Sequence, residues 1–155
     1  MKFKLILITC IAIGSLFMWT RSLEVAPKNT APAPNFAITE ELALHDLPKK
    51  ETWIHFWASW CPPCVVEMPK LLEHFKGDET RTLVLVSLDK KQEALESFLN
   101  KQDTDVLAQS NVLSMWDQHG GVAEDYQSFQ YPETYVLDKN FELIRKIKGD
   151  ATANE

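Results

Sequence analysis

A chain of 155 residues, 45% hydrophobic and 25% charged, is long enough for one domain plus an extension and apolar enough for a core of ordinary size. Its net charge of −6 is unevenly spread: Lys2, Lys4 and Arg21 stand in a first 21 residues without an acid, and the remainder sets 13 basic against 22 acidic residues and carries −9. An acidic remainder with no basic stripe repels phosphate backbones and speaks against nucleic acid as a partner, and three cysteines are too few for a disulfide-stapled scaffold.

The chain opens on a short basic stretch followed by an apolar run from Leu5 to Trp19, interrupted only by Thr9, Gly14 and Ser15 and closed by Arg21. As a helix this run reaches about 22 Å, and about 27 Å if Lys4 and Arg21 snorkel, against a hydrocarbon core of roughly 30 Å. It reads as a cleaved signal peptide or an uncleaved anchor. No good small-x-small cleavage site follows, so residues 1–21 are expected to be a signal-anchor. Cys10 then faces lipid as an ordinary apolar residue. The positive N-terminal flank places the N-terminus inside and the rest outside the cytoplasm. Residues 22–34, with Pro27, Pro32 and Pro34, form a stiff Pro/Ala linker. Residues 35–155 are expected to be the folded domain.

Thr52–Ala58 is aromatic and β-rich, a buried strand. Pro62–Phe75 spaces Val65, Met68, Leu71, Leu72 and Phe75 as a helix does. Thr82–Leu88 is a nearly continuous apolar run, the mark of a central strand covered on both faces. Lys91–Gln102 reads as a helix and Val106–Ala108 as a short edge strand. Thr134–Leu137 and Leu143–Ile147 read as a strand pair around Asp138-Lys139-Asn140. The expected order is β-α-β-α-β-β-β, without repeats.

The chemistry lies in Trp60-Cys61-Pro62-Pro63-Cys64, which follows a strand and opens a helix. The free N–H groups and positive dipole end of a helix N-terminus favour a thiolate at Cys61, and the thiolate is the attacking species in disulfide exchange. Cys64, one turn in, is placed to resolve the mixed disulfide. Pro62 and Pro63 fit a first turn that needs no N–H from them. Two other readings of the pair are a zinc half-site, for which His45, His55, His74 and His119 are scattered, and an inert disulfide. Glu67 shares a helix face with Cys64. His55 lies two residues before Trp57 on the same strand face, as a packed strand histidine or as a group acting on the cysteines.

Residues 56–64, Phe-Trp-Ala-Ser-Trp-Cys-Pro-Pro-Cys, with Pro69 five residues after Cys64, resemble the thioredoxin superfamily active site. Tyr131-Pro132-Glu133-Thr134 resembles that family's second signature, a cis-proline entering a strand. The resemblance implies an α/β thioredoxin-like fold, a central mixed β-sheet flanked by helices, behind the N-terminal membrane anchor. It implies that Pro132 is cis and lies against the Cys61–Cys64 pair, with the backbone at Tyr131 and the side chain of Trp60 receiving substrate. Its counterpart of Glu67 is a buried acid that tunes cysteine protonation, and His55 occupies the place of a buried aspartate.

Within the superfamily the chain is most similar to the membrane-tethered TlpA/ResA group, nearest its DsbE/CcmG branch, through Ala33-Pro34-Asn35-Phe36, Glu67-Met68-Pro69 and Asp117–Asp138. It departs from that branch in having Gln127–Tyr131 where glycines usually precede the cis-proline, and in lacking the usual C-terminal helix, so that one sheet face is expected to be partly uncovered. The expected function is that of an extracytoplasmic thiol–disulfide oxidoreductase without cofactor or metal. It would reduce disulfide-containing proteins, apocytochrome c among the candidates, with a transmembrane thiol reductase as electron donor. A copper or zinc carrier and a disulfide isomerase or oxidase are the alternatives.

Overall fold

The computed structural model describes residues 32–153. The expected anchor, and the linker up to residue 31, lie outside the described residues. Five strands form one sheet: β1 Glu51–Trp57, β2 Arg81–Ser87, β3 Val112–Trp116, β4 Glu133–Leu137 and β5 Leu143–Lys148. The spatial order is β3-β2-β1-β4-β5. β1, β2 and β3 run parallel; β4 adds antiparallel to the other side of β1, and β5 adds antiparallel to β4 at the edge. This is the mixed sheet the resemblance implied. The helices are α1 Pro62–Phe75, α2 Gln92–Leu99, α3 Thr104–Leu107 and α4 Gly121–Asp125.

Alternation along β1 sends its side chains to two cores. Trp53 and Trp57 pack with Cys64, Met68, Leu71, Leu72 and Phe75 of α1, Leu95 of α2 and Val106 of α3. Ile54 and Phe56 pack on the other face with Leu44, Ala123, Tyr126 and Phe141. A strand covered on both sides is apolar at most positions, which is why β1 and β2 are legible in the sequence as nearly continuous runs despite the buried Thr52, His55, Thr82 and Ser87. β5, at the edge, is exposed at Ile144, Arg145, Lys146 and Lys148. Pro32 bridges to Glu142, and Ala33 N–H donates to Phe141 O at 2.7 Å.

Two local readings are corrected. Val106 is the middle of α3 rather than part of an edge strand, because Asp103 caps the turn by accepting from the N–H groups of Asp105 and Val106. The edge strand is Val112–Trp116, whose half-buried pattern gives no continuous apolar run. Helix α4 was not foreseen. It is built by tertiary capping: Asp117 Oδ2 accepts from Ala123 N–H at 2.9 Å, and Gly120 turns the chain at φ +72°. A Cβ at Gly120 meets open space, so its only penalty is the left-handed conformation. Gly120→Ala is therefore expected to cost about 1–2 kcal/mol in urea unfolding, and an unchanged midpoint would show that the turn does not need glycine.

Candidate active site

Cys61 is the N-cap of α1, with φ −93° and ψ 107°, and is joined to Cys64 by a disulfide spanning 5.3 Å between Cα atoms. Pro62 and Pro63 occupy the first helical positions and have no N–H. The first free N–H of the helix is thus that of Cys64, and it points at Cys61 Sγ at 3.4 Å. The next, of Val65, closes on Cys61 O at 3.1 Å. The helix N-terminus is thereby aimed at the one sulfur, the arrangement that favours a thiolate there. Cys61 keeps 5% of its surface accessible and Cys64 none, so an incoming disulfide can reach only Cys61.

The residues around the pair come from three loops. Trp60 is 57% exposed and meets the ring of Tyr131 edge-on at 6.3 Å between centroids. The Tyr131–Pro132 peptide bond is cis. Gly149 N–H donates to Pro132 O at 2.9 Å and ties this loop to the C-terminal segment. With Trp60, the exposed Val65 and Val66 of α1 give the cysteine edge an apolar rim, a surface of the kind that receives polypeptide.

Sequence reasoning passed over Asp89, the group that holds this loop. Buried after β2, its carboxylate accepts from the N–H of Ser59 at 3.1 and 3.2 Å, from Ser59 Oγ at 2.7 Å and from Ser87 Oγ at 2.8 Å. Its carbonyl accepts from Trp116 Nε1 at 2.7 Å. Ser59 is two residues before Cys61, so the carboxylate fixes the approach to the helix. An acid ending an apolar strand was the available signal.

Beneath the disulfide lie two buried polar groups, Glu67 and His55. Glu67, one turn beyond Cys64, is 2% exposed. Its Oε1 accepts from Ala151 N–H at 2.6 Å, while Oε2 has no hydrogen-bond partner. Burial raises its pKa to about 7, and Asp150 adds to the rise against the opposing Ala151 hydrogen bond and Lys70. His55 is fully buried on β1, its Nδ1 2.9 Å from Thr134 Oγ1 of β4. Burial lowers its pKa to about 3, with Asp150 acting in the opposite sense, so the ring is neutral. The structure thus brings Cys61, Cys64, Trp60, Tyr131 and Pro132 to one edge, and places Glu67 and His55 in the core behind it.

The AhpC/TSA family model matches residues 24–146. Thiol-disulfide oxidoreductase ResA of Bacillus thuringiensis subsp. konkukian is 26% identical over 158 residues, spanning 97% of this chain and 88% of that protein. ResA of Oceanobacillus iheyensis is 31% identical over 133 residues, 77% of this chain and 65% of that protein. The crystal structure of StoA from Bacillus subtilis superposes with a TM-score of 0.63 at 26% identity, covering 82% of this chain and 94% of that one. A Chlorobium tepidum structure described as a thiol:disulfide interchange protein DsbE gives a TM-score of 0.65 at 24% identity, covering 79% and 86%, and shows the shared fold. With a redox-capable Cys61–Cys64 pair at the N-terminus of α1, a cis Tyr131–Pro132 bond in the loop whose Tyr131 meets Trp60, and a family match over most of its length, the chain belongs to the AhpC/TSA family, as a thioredoxin-like thiol–disulfide oxidoreductase similar to ResA.

Proposed function

We propose that this oxidoreductase is a dithiol reductant held on the outer face of a bacterial-type inner membrane. It passes electrons from a transmembrane thiol reductase to disulfides of exported proteins, with the cysteines of apocytochrome c as the leading substrate class. The observation that carries the reductant reading is Glu67, buried on the face of Cys64 with its pKa raised to about 7. As an anion it opposes a second negative charge at the cysteines. A strongly stabilised thiolate favours the reduced form and makes an oxidant, so a restrained one keeps the potential low.

The exchange runs in two steps. Cys61 thiolate attacks one sulfur of the substrate disulfide; that bond breaks, and the first substrate thiolate leaves and takes up a proton. Cys64 then gives up its proton and attacks Cys61 Sγ, releasing the second substrate thiolate. Two electrons pass to the substrate, and the protein is left as the disulfide seen here.

Equilibration of the full-length chain with glutathione buffers tests the direction. A potential near −200 mV or lower is expected, and one near the strong-oxidant value of about −120 mV would overturn the reading. The tether rests on the apolar run bracketed by Lys4 and Arg21. The N-terminus found by mass spectrometry is expected to be uncleaved, and one near Leu23 or Pro27 would replace the anchor with a soluble extracytoplasmic protein.

A further inference from the structure

The two loops that carry the redox pair and the cis bond, residues 58–66 and 126–132, contain no Asp, Glu, Lys, Arg or His. Charge at the cysteine edge therefore comes from the turns that follow β2 and β3. The acids of those turns are spent inward. Asp89 is buried under hydrogen bonds from Ser59 and Ser87, and Asp117 is buried and accepts from Ala123 N–H. The turn after β2 exposes Lys90 and Lys91, and the turn after β3 exposes Gln118 and His119.

Among the described residues, neither Lys90 nor Lys91 takes part in a salt bridge, whereas Lys70, Lys76 and Lys146 each hold a carboxylate. The two lysines line an open depression of about 570 Å³ together with Gln92, Glu93 and Trp116. Glu93 is the one acid in that lining, so the balance there is positive. Gln92 Nε2 donates along the helix to Glu96 Oε1 at 2.9 Å. The Trp116 ring is pinned, because its Nε1–H donates to Asp89 O at 2.7 Å. The Asp89 carboxylate in turn holds Ser59, next to Trp60. Hydrogen bonds thus fix the depression relative to the redox loop.

We propose that Lys90 and Lys91, with the indole of Trp116 between the strands and the turn, form a docking shelf for an acidic polypeptide segment that flanks the disulfide of the protein substrate. The chain beyond residue 21 carries −9, from 13 basic and 22 acidic residues, so an acidic partner is repelled over most of the surface. Screening acts over about 8 Å at physiological ionic strength, so at contact the two lysines decide and the distant acids do not. Attraction confined to this place orients the partner as well as holding it, and its main effect is on the rate of productive encounter. Trp116 adds a rigid apolar wall of the kind that anchors interfaces. The proposal names the substrate class of the exchange site and rests on the oxidoreductase reading.

The test uses the reduced full-length chain and three synthetic peptides with one internal disulfide and the same central sequence, flanked by Asp, by Ser or by Lys. Each turnover oxidises the Cys61–Cys64 dithiol to the disulfide and reduces the peptide to two thiols, and stopped-flow fluorescence reads the second-order rate. The wild type is expected to prefer the acidic to the neutral peptide, and in Lys90→Gln/Lys91→Gln that preference is expected to fall about tenfold. The preference is also expected to vanish at 1 M salt, where screening acts over about 3 Å. Lys101→Gln/Lys139→Gln removes the same charge elsewhere and is expected to keep it. A preference that is absent in the wild type, unchanged in Lys90→Gln/Lys91→Gln or equally lost in Lys101→Gln/Lys139→Gln overturns the proposal. Failure to reduce any of the three peptides counts against the exchange reading instead. Docking is then decided by fluorescence anisotropy of a cysteine-free acidic peptide on the oxidised chain, where equal binding to wild type and Lys90→Gln/Lys91→Gln overturns the shelf.

Discussion

Cys61→Ala is expected to abolish disulfide reduction, while Cys64→Ala keeps the first step and accumulates a covalent mixed disulfide with substrate. The asymmetry follows from position. Cys61 is the helix N-cap, receives the N–H of Cys64 and retains accessible surface; Cys64 is fully buried behind it. Loss of the attacking sulfur is expected to cost on the order of 10³-fold or more in rate. Loss of the resolving sulfur removes only the intramolecular attack that ends each cycle, so the intermediate persists. Insulin reduction and non-reducing electrophoresis of the full-length variants read the two effects. In the reduced wild type, iodoacetamide is expected to label Cys61 before Cys64. Preferential labelling of Cys64, or a mixed disulfide formed through Cys64 in Cys61→Ala, would reverse the assignment. The trapped species also names the substrate, which the fold leaves open.

Glu67→Gln is expected to change the pH dependence of stability by roughly 3 kcal/mol. The carboxyl titrates near its ordinary 4.5 in the unfolded chain and at about 7 in the folded one. The native state therefore holds the proton across that window while the unfolded state has released it. Stability from this group is fully present below pH 4.5 and is lost as pH rises through 7. His55 acts with the opposite sign. Its pKa falls from 6.5 to about 3 on folding, so its contribution is present above 6.5 and is lost as pH falls through 3. Between pH 4.5 and 6.5 the two slopes oppose each other in the wild type. In Glu67→Gln only the rising slope of His55 remains from this pair. Urea unfolding of the oxidised full-length chain at pH 4.5 and 7.5 measures the difference between wild type and variant. Parallel stability curves would show that Glu67 is not held protonated by the fold. In the reduced protein the same variant is expected to displace the thiol titration without unfolding the domain, because the charge opposing a thiolate is gone.

The redox pair, its helix and the two central strands could be read from the amino-acid sequence alone, because each rests on local chemistry. A strand buried on both faces is apolar nearly throughout, as in Leu83–Val86. A helix facing a core has to repeat its apolar residues, as from Met68 to Phe75. Two cysteines flanking two prolines at a strand-to-helix junction carry their reactivity in the backbone that follows them. The short elements were not legible in this way. Helix α3 depends on the Asp103 cap, α4 on the reach of Asp117 to Ala123, and β3 on pairing with β2. In none of them is the local apolar pattern strong enough to compete. The chemistry behind the cysteines was decided by tertiary structure in a stronger sense. His55 and Glu67 are ordinary titratable residues in the chain, and burial moves their proton affinities in opposite directions because each loses water without gaining a full set of partners. Asp89 and Ala151, which hold the site from 28 residues beyond Cys61 and 84 beyond Glu67, meet it only once the sheet has closed. Residue identity determines which groups can react; the dielectric and partners that set their protonation exist only in the folded core.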